Sequence, residues 1–192
     1  MSPATLPADQ GLEQAVHLAH TAPPVCGDTR VVAVDGPSGS GKTQFGAQLA
    51  ERLGAPVLHL DDLYPGWDGL AEAVTVLTTL VLEPLAHGER AAYRRWDWMR
   101  SRWGREVLVP PTALLVVEGV GASVRPAGDR ASVRLWLDAP EPVRYARAMA
   151  RDGETYRPHW DRWARQEQAL FSADGTAARA DLHIDTSETG AP

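Results

Sequence analysis

Residues 36–43 read Gly36-Pro37-Ser38-Gly39-Ser40-Gly41-Lys42-Thr43 and match the pattern G-x-x-x-x-G-K-S/T of a phosphate-binding loop, the P-loop. A short apolar run rich in β-branched residues precedes the loop at residues 30–35. Phe45, Leu49 and Leu53 follow it at the four-residue spacing of a helix. The sequence therefore predicts that the loop joins a buried strand to a helix, which is the context that this motif requires.

The chemistry of phosphate binding explains the composition of this loop. Its glycines let successive backbone N–H groups face one concavity, and the helix that follows adds positive partial charge at its N-terminus. Lys42 would place a charge on the β- and γ-phosphates, and the Thr43 hydroxyl would be a ligand of Mg²⁺. An ordinary Gly/Ser turn is the alternative. Because every fixed position of the motif is satisfied, the sequence predicts that residues 36–43 bind a nucleoside triphosphate with Mg²⁺.

Length and composition limit the class of protein. A chain of 192 residues suits a single domain with a sizeable core. Its net charge of −6 argues against a nucleic-acid partner, which would need a basic face. A single cysteine excludes an intramolecular disulfide and is typical of a reducing compartment. No apolar run reaches the length of a membrane span, so we expect a cytoplasmic protein without a membrane partner, of open oligomeric state.

The order of predicted elements indicates an α/β domain. We expect residues 1–29 to form an N-terminal helix and linker, with residues 1–9 loose, and residues 188–192 to be a tail. Between them, residues 30–187 form one P-loop domain. Its five predicted strands, at residues 30–35, 56–60, 113–119, 132–138 and 180–185, alternate with helical segments. These predict a five-stranded parallel sheet in the order 2-3-1-4-5, with helices on both faces.

Acidic residues follow two of these strands. Asp61 and Asp62 end the second strand, and Glu118 ends the third. Open α/β sheets bind ligands at the carboxyl ends of their strands, and phosphoryl transfer to an alcohol needs carboxylates near the hydroxyl and the metal. Glu118 stands at the Walker B position of P-loop folds and is a candidate Mg²⁺ ligand. Turns or helix caps are the alternative roles. For His59, a core or supporting role is favoured over metal ligation.

Residues 91–103 interleave three tryptophans with four arginines. Such a mixture can stack on a flat ring and pair with anions, so it predicts contact with a nucleoside-like substrate. Binding of single-stranded nucleic acid is an alternative. So is a hairpin in which residues 107–109 pair back and the amphipathic side chains cover the core.

An arginine-rich lid is predicted at about residues 144–160. The helix opened by Pro140 carries Arg144, Arg147 and Arg151 on one stripe, and a second helix starts after a break at residues 151–154. A helix, an arginine-bearing loop and a second helix are typical of a lid over phosphates. A solvated basic face is the alternative. We predict that Arg151 and Arg157 neutralise charge on the transferring group.

Over about residues 30–187, the chain resembles the uridine kinase, nicotinamide riboside kinase and phosphoribulokinase group of P-loop kinases. Leu63 and the interruption of the aromatic segment by residues 94–96 depart from the pattern of that group. The landmarks that carry the resemblance are residues 36–43, Leu60-Asp61-Asp62-Leu63-Tyr64, residues 93–98, Val117-Glu118-Gly119, the arginines of residues 147–157 and the strand Ala180-Asp181-Leu182-His183-Ile184.

This resemblance implies that ATP with Mg²⁺ donates its γ-phosphoryl group to a hydroxyl of a nucleoside-like molecule. It makes Asp61 the general base, Thr43 and Glu118 metal ligands with Asp62 acting through water, and Thr186 a neighbour of the adenine. For substrate binding it implies Asp61, Tyr93 and Asp97, and the turn after Asp62 and the composition of residues 91–103 add Tyr64, Trp67 and Arg95.

Two other functions stay open from the sequence. The loop start and the end of the last strand also resemble cytidylate kinases, which suggests a nucleoside monophosphate kinase that uses Arg94 and Arg95 on the acceptor's phosphate. A nucleotide-dependent switch or assembly protein is the alternative from another class. It is disfavoured because the chain lacks a guanine-reading Asn-Lys-x-Asp and the Leu-Ser-Gly-Gly-Gln of transporter ATPases.

Overall fold

The computed structural model describes residues 5–188 as a parallel sheet with helices on both faces and one separate hairpin. The strands are β1 (Thr5–Pro7), β2 (Arg30–Asp35), β3 (Val57–His59), β4 (Ala91–Asp97), β5 (Arg102–Val109), β6 (Leu114–Glu118), β7 (Val133–Asp138) and β8 (Leu182–Asp185). The helices are α1 (Ala8–Thr21), α2 (Lys42–Leu53), α3 (Leu70–Val76), α4 (Glu83–Ala86), α5 (Glu141–Tyr156) and α6 (Trp160–Asp174).

Six parallel strands form the central sheet, in the order β1-β8-β7-β2-β6-β3. The prediction of a five-stranded sheet was therefore wrong, because β1 pairs in parallel with the free edge of β8. Residues 5–9 were expected to be loose, but they form β1 and the start of α1. An edge strand tolerates Pro7, and a segment of three residues is too short to show a two-residue periodicity. Without β1, the remaining order is β3-β6-β2-β7-β8.

The strands of the sheet are apolar on both faces because both faces are covered. Val32 and Val34 point toward α1 and α2, where they pack with residues such as Phe45 and Leu49. Val31 and Ala33 point to the opposite face and pack in the core beneath α3 and α6. This two-sided burial fixes the strand register and holds the carboxyl ends of β2, β3 and β6 side by side.

Residues 70–86 form one long helix, as the apolar stripe predicted, with a π-helical stretch at Leu77–Leu82 between α3 and α4. The segment after it is an antiparallel hairpin of β4 and β5, in which Ala91 pairs with Val109 and Trp96 with Trp103. The hairpin alternative therefore describes the backbone of this segment.

The helix break expected at residues 151–154 is confirmed at Gly153, whose φ of 52° and ψ of −131° interrupt α5. Glycine adopts this conformation without steric cost. A short 3-10 turn, Arg157–His159, then leads into α6. Among the described residues, no helix is long and apolar enough to cross a membrane.

Candidate functional site

The loop of residues 36–41 connects β2 to α2 and requires glycine at two close approaches. Gly36 has a φ of 140°, and a Cβ there would lie 2.0 Å from the Leu137 carbonyl oxygen. Gly39 has a φ of 77°, and its Cβ would lie 2.1 Å from the Arg144 carbonyl oxygen. Local sequence thus dictates the curl of the backbone.

A buried carboxylate that sequence reasoning missed anchors the base of this loop. Asp35 is fully buried and accepts hydrogen bonds from the backbone N–H groups of Gly36 (2.8 Å), Gly121 (2.9 Å) and Ser123 (2.8 Å) and from the Ser123 hydroxyl (2.9 Å). Burial raises the pKa of Asp35, and these hydrogen bonds oppose that rise. An acid at the end of an apolar strand is the signal that could have identified it.

Lys42 lies over the loop in a buried position. Its Nζ donates to the Pro37 carbonyl oxygen at 2.8 Å and is 3.5 Å from Ser40 Oγ. Burial lowers the pKa of Lys42, whereas the nearby carboxylates of Glu167 and Glu118 raise it. The ammonium group is thus held at the loop by its own backbone and by surrounding acids.

Thr43 and Glu118 form an oxygen-rich pair at the start of α2. Thr43 Oγ1 lies 3.4 Å from both carboxylate oxygens of Glu118, which is buried. His59 Nδ1 contacts Glu118 Oε1 at 2.5 Å, and this hydrogen bond raises the pKa of His59. A Cβ on Gly46 would come within 3.2 Å of the Glu118 Cβ, so the absence of a side chain there gives Glu118 room.

This donor set fits Mg²⁺, which takes hard oxygen ligands and commonly uses one or two protein groups together with phosphates. Within residues 5–188, no group of three or more His, Cys, Asp and Glu side chains is arranged to hold a metal ion. A hydroxyl and a carboxylate beside an anion-binding loop are the arrangement in which a bound triphosphate would supply the remaining ligands.

A cavity of about 450 Å³ joins the loop and α2 to residues from five other parts of the chain, at positions 8–9, 61, 118–120, 147–151 and 186. The sequence-predicted site residues that line it are Ser38, Gly39, Gly41, Lys42, Thr43, Asp61, Glu118, Arg151 and Thr186. The other predicted residues of the loop, Gly36, Pro37 and Ser40, belong to its backbone but do not line the cavity. Thr186 is buried, and its hydroxyl donates toward the Ser40 and Asp138 carbonyl oxygens at 3.0 and 3.1 Å.

The two neighbouring acids, Asp61 and Asp62, have different surroundings. Asp61 lines the cavity and keeps solvent contact there, but the surrounding protein atoms and Glu118 raise its pKa, against the opposing effect of Arg151 and Lys42. Asp62 does not line the cavity. Its Oδ1 pairs with Arg95 Nε at 2.5 Å, so Asp62 holds the hairpin rather than facing Glu118.

The other residues predicted to bind substrate lie outside this cavity. Tyr64 is buried and donates from its hydroxyl to the Val120 carbonyl oxygen at 2.9 Å. Tyr93 is buried in the core. The Asp97 carboxylate accepts from the backbone N–H and guanidinium of Arg100 at 2.9 and 2.8 Å, which fixes the hairpin turn. In this structure these side chains support the fold.

Trp67 is the centre of an aromatic cluster, which we define as Trp67, Trp98, Tyr156, His159 and Trp163. Its ring stacks on His159 and Tyr156, with centroid distances of 4.4 and 5.2 Å, and contacts Trp98 at 4.9 Å. The Trp98 indole N–H donates to the Asp61 carbonyl oxygen at 2.9 Å. The cluster therefore fills the space between the turn of residues 60–62, the hairpin and the predicted lid.

The lid arginines also separate by position. Arg151 lines the cavity and pairs with Asp152, whereas Arg157 pairs with Glu154 at 3.1 Å outside it. Arg147, which was not among the predicted site residues, lines the cavity and donates to the Thr186 carbonyl oxygen at 2.7 Å.

Comparison with known proteins identifies the fold. No protein-family model matches the chain, and no curated protein matches it in sequence. The structure of a possible uridine kinase from Bacillus stearothermophilus matches with a TM-score of 0.68 and 18% identity, over 92% of this chain and 98% of that chain.

Two further structures match less closely. A protein from Silicibacter sp. TM1040, proposed to be a fructose transport system kinase, has a TM-score of 0.52 and 20% identity, over 92% of this chain and 95% of that chain. TT1252 from Thermus thermophilus has a TM-score of 0.50 and 20% identity, over 84% and 90%. At these identities the likeness shows the fold alone: the chain shares an α/β fold with the possible uridine kinase, as its motifs predicted.

Proposed function

We propose that the chain is an ATP-dependent kinase that transfers the γ-phosphoryl group to a hydroxyl of a nucleoside-like small molecule. One observation carries the proposal: a single cavity brings together Lys42, the Thr43–Glu118 pair, Asp61 and Arg151. These supply a phosphate-binding cation, oxygen ligands for a metal, a base and a lid cation. Such a set serves phosphoryl transfer, in which positioning and charge stabilisation do most of the catalytic work.

On the nucleotide side, the backbone of residues 36–43 would hold the phosphates, and Lys42 would neutralise charge on the β- and γ-phosphates. Thr43 and Glu118 would hold Mg²⁺, which when bound bridges phosphate oxygens and offsets their charge. Thr186 lines the cavity beside the loop, where its hydroxyl donates to the Ser40 carbonyl oxygen, and we propose that the adenine lies next to it.

On the acceptor side, Asp61 would orient the attacking hydroxyl and take its proton. Its position in the lining of the cavity, together with Glu118, Lys42 and Arg151, supports this role. Arg151 would neutralise charge on the transferring group from the lid. Because Asp62 is paired with Arg95, we assign it a role in holding the hairpin instead of a role at the metal.

The nucleoside-like acceptor is the finer part of the proposal. It is supported by the fold shared with a protein described as a possible uridine kinase and by the hairpin contact to Asp61 through Trp98. A nucleoside monophosphate acceptor would need free arginines. Here Arg94 donates to the Gly104 carbonyl oxygen at 3.0 Å and Arg95 pairs with Asp62, which favours an uncharged acceptor.

We further propose a kinase domain of residues 30–187, extended by β1 and α1 in its sheet and core, with its lid at residues 144–160, that acts in the cytoplasm on small molecules. The net charge of −6 disfavours a nucleic-acid or anionic-membrane partner. The single cysteine, Cys26, is buried and donates to the Leu82 carbonyl oxygen at 3.2 Å, so its thiol has a structural role compatible with a reducing compartment.

An acceptor screen tests the function. The protein is incubated with ATP and Mg²⁺ alone, or with nucleosides, ribosides, nucleoside monophosphates or aminoglycoside-like alcohols, and ADP release is followed with product mass. We expect slow turnover alone and fast turnover with a nucleoside-type acceptor, whose mass rises by one phosphoryl group. Turnover that ignores every acceptor and responds to a protein partner would identify a switch instead.

A further inference from the structure

Helix α6 reaches the phosphate-binding loop through one buried acid. Glu167 is 4% exposed, and its Oε1 accepts hydrogen bonds from the backbone N–H of Ser38 at 2.9 Å and from the Ser38 hydroxyl at 2.5 Å. Burial raises the pKa of Glu167, while Ser38 and Lys42 lower it. The buried carboxylate thus fixes two donors of a loop residue that lines the cavity.

The same helix reaches a second loop, residues 64–69, from the adjacent positions. Gln166 donates from its side-chain amide to the Trp67 carbonyl oxygen at 2.8 Å. Arg162 Nε donates to Asp68 Oδ1 at 2.6 Å. Residues 64–69 begin three positions after Asp61 in the chain but do not line the cavity themselves.

Helix α5 also contacts residues 64–69, where the Tyr156 ring stacks on Trp67 at a centroid distance of 5.2 Å. The link from Ser38 to Trp67 runs through two adjacent residues of α6, Glu167 and Gln166. A helix turn is stiff because its backbone hydrogen bonds fix adjacent residues relative to each other. A movement of the loop at Ser38 is then transmitted to residues 64–69.

We propose that α6 couples the nucleotide site to the acceptor side of the cavity, with Glu167 contacting Ser38 and Gln166 contacting Trp67. Glu167 is on this view a positioning residue that acts through Ser38. The inference rests on the proposed function, because it assumes that a nucleotide binds at residues 36–43. When the phosphates fix Ser38, the 64–69 loop is held through Gln166, and Asp61 beside it is fixed for the acceptor.

Hydrogen exchange measured by mass spectrometry tests this coupling without a known acceptor. The probe is a non-hydrolysable ATP analogue with Mg²⁺, and its binding is measured separately by calorimetry. In the wild-type chain we expect the analogue to slow amide exchange in residues 64–69 by at least about threefold. This slowing is a coupled effect because residues 64–69 do not line the nucleotide cavity.

Two variants break the coupling at different ends. Glu167→Ala removes the contact to Ser38, and Gln166→Ala removes the contact to Trp67 but leaves Ser38 alone. Both should still bind the analogue and should lose most of the slowing in residues 64–69. Glu167→Gln keeps a side-chain oxygen that accepts from Ser38, so this variant should retain the slowed exchange in residues 64–69. Arg165→Ala, at an exposed position of the same helix, is the matched control and should behave as the wild type.

The outcomes separate the coupling from the function on which it rests. Equal slowing in the wild type, Glu167→Ala and Gln166→Ala would overturn the coupling and leave the nucleotide site intact. A wild-type chain that does not bind the analogue would overturn the proposed function and the coupling with it. If Glu167→Ala does not fold, Gln166→Ala decides, because its side chain is only half-buried and its removal leaves no buried charge.

Discussion

The phosphate-binding loop and the hairpin beside the proposed acceptor side of the cavity are built in different ways. Around the loop, Asp35, Lys42 and Glu118 are all less than 10% exposed, and the loop backbone is fixed by hydrogen bonds to buried groups. The hairpin lies outside the cavity, where Arg95 is half exposed and Met99 at the hairpin tip is 96% exposed. The loop is held by the core, and the hairpin by side-chain pairs such as Asp62–Arg95 and Asp97–Arg100.

The difference matches how phosphates and acceptors are recognised. Phosphate is bound mainly by backbone N–H groups and a helix terminus, which local sequence can preset. An acceptor is recognised by side chains that several distant elements must bring together, so composition alone does not say which of them face it. We therefore expect substitutions around the loop to affect binding or folding strongly and most substitutions at the hairpin to have milder effects.

The largest expected effect tests the loop. Lys42→Ala should reduce acceptor-dependent ADP release by about 10³-fold or more, because the charge on the transferring phosphates is lost. The midpoint temperature of thermal unfolding should be unchanged or slightly higher, because a buried ammonium group is costly to desolvate. Retention of near-normal turnover would place the phosphates elsewhere.

A chemical probe gives an independent check of the same site. Lys42 is the only lysine in the chain, so an acyl-phosphate derivative of ATP has one internal amine to modify. Peptide mapping should find the label on Lys42, and excess ATP should protect it. Labelling confined to the N-terminal amine would contradict the placement.

The next prediction compares Asp61 with Asp62, the neighbouring acids between the loop and the hairpin. Asp61→Asn should lower kcat by about 10²–10⁴-fold, because a positioned base is lost, with little change in ATP affinity. Asp62→Asn should cost less than about tenfold, since it releases Arg95 and loosens the hairpin. The Mg²⁺ requirement should stay the same in Asp62→Asn. The reverse ranking of the two variants would mean that their roles are exchanged.

The same Asp→Asn change at the loop and at the hairpin compares their stability. Asp35→Asn replaces an acceptor of four hydrogen bonds by an amide whose N–H₂ group faces donors. We expect a loss of about 3 kcal/mol in the free energy of unfolding, measured by urea titration. Asp97→Asn, at the exposed hairpin turn, should leave the urea midpoint unchanged. Equal losses would show that the hairpin is as well fixed as the loop.

The lid arginines give a smaller kinetic contrast. Arg151→Ala should reduce kcat by about 10–100-fold, the usual value of one charge-assisted hydrogen bond. Arg157→Ala should leave kcat unchanged, because Arg157 lies outside the cavity and pairs with Glu154. A strong effect of Arg157→Ala would instead mean that the lid closes further when nucleotide binds.

The smallest expected effect concerns Tyr64. Tyr64→Phe removes the hydrogen bond to the Val120 carbonyl oxygen and should cost about 1 kcal/mol in the free energy of unfolding. The KM for the acceptor should not change, because the hydroxyl is buried in the core. A raised KM for the acceptor at unchanged stability would mean that Tyr64 contacts the substrate, as the sequence predicted.

The sequence predicted most of the sheet and helices because their signals are local. Runs such as residues 30–35 and the stripe of residues 70–86 carry their own periodicity. The edge strand β1 carries none, and its pairing depends on the free edge of β8. The hairpin was left as one of three alternatives because its arginines and tryptophans suit substrate binding as well as packing.

For the site, motif positions gave the residues that now share one cavity and put Arg147 in the predicted lid without a site role, but they gave Glu167 no part. Glu167 has no distinguishing signal in the chain, since a glutamate in an amphipathic helix is ordinary. It acquires its contact to Ser38 only when α6 packs beside the loop. The motif assigned Asp61 to the acceptor and Asp62 to the metal's water, whereas in the structure both lie in the 3-10 turn Leu60–Asp62, where Asp61 lines the cavity and Asp62 pairs with Arg95.

By itself, the sequence determined the conformation of residues 36–43, because glycines at fixed spacing permit backbone angles that few other residues adopt. It also determined that acids follow β3 and β6 at the carboxyl edge of the sheet. Only the tertiary structure decided which acid meets the cavity and which meets Arg95, and which aromatic rings become core. Those outcomes depend on contacts between elements far apart in the chain, where burial and charge pairing compete and no local pattern records the result.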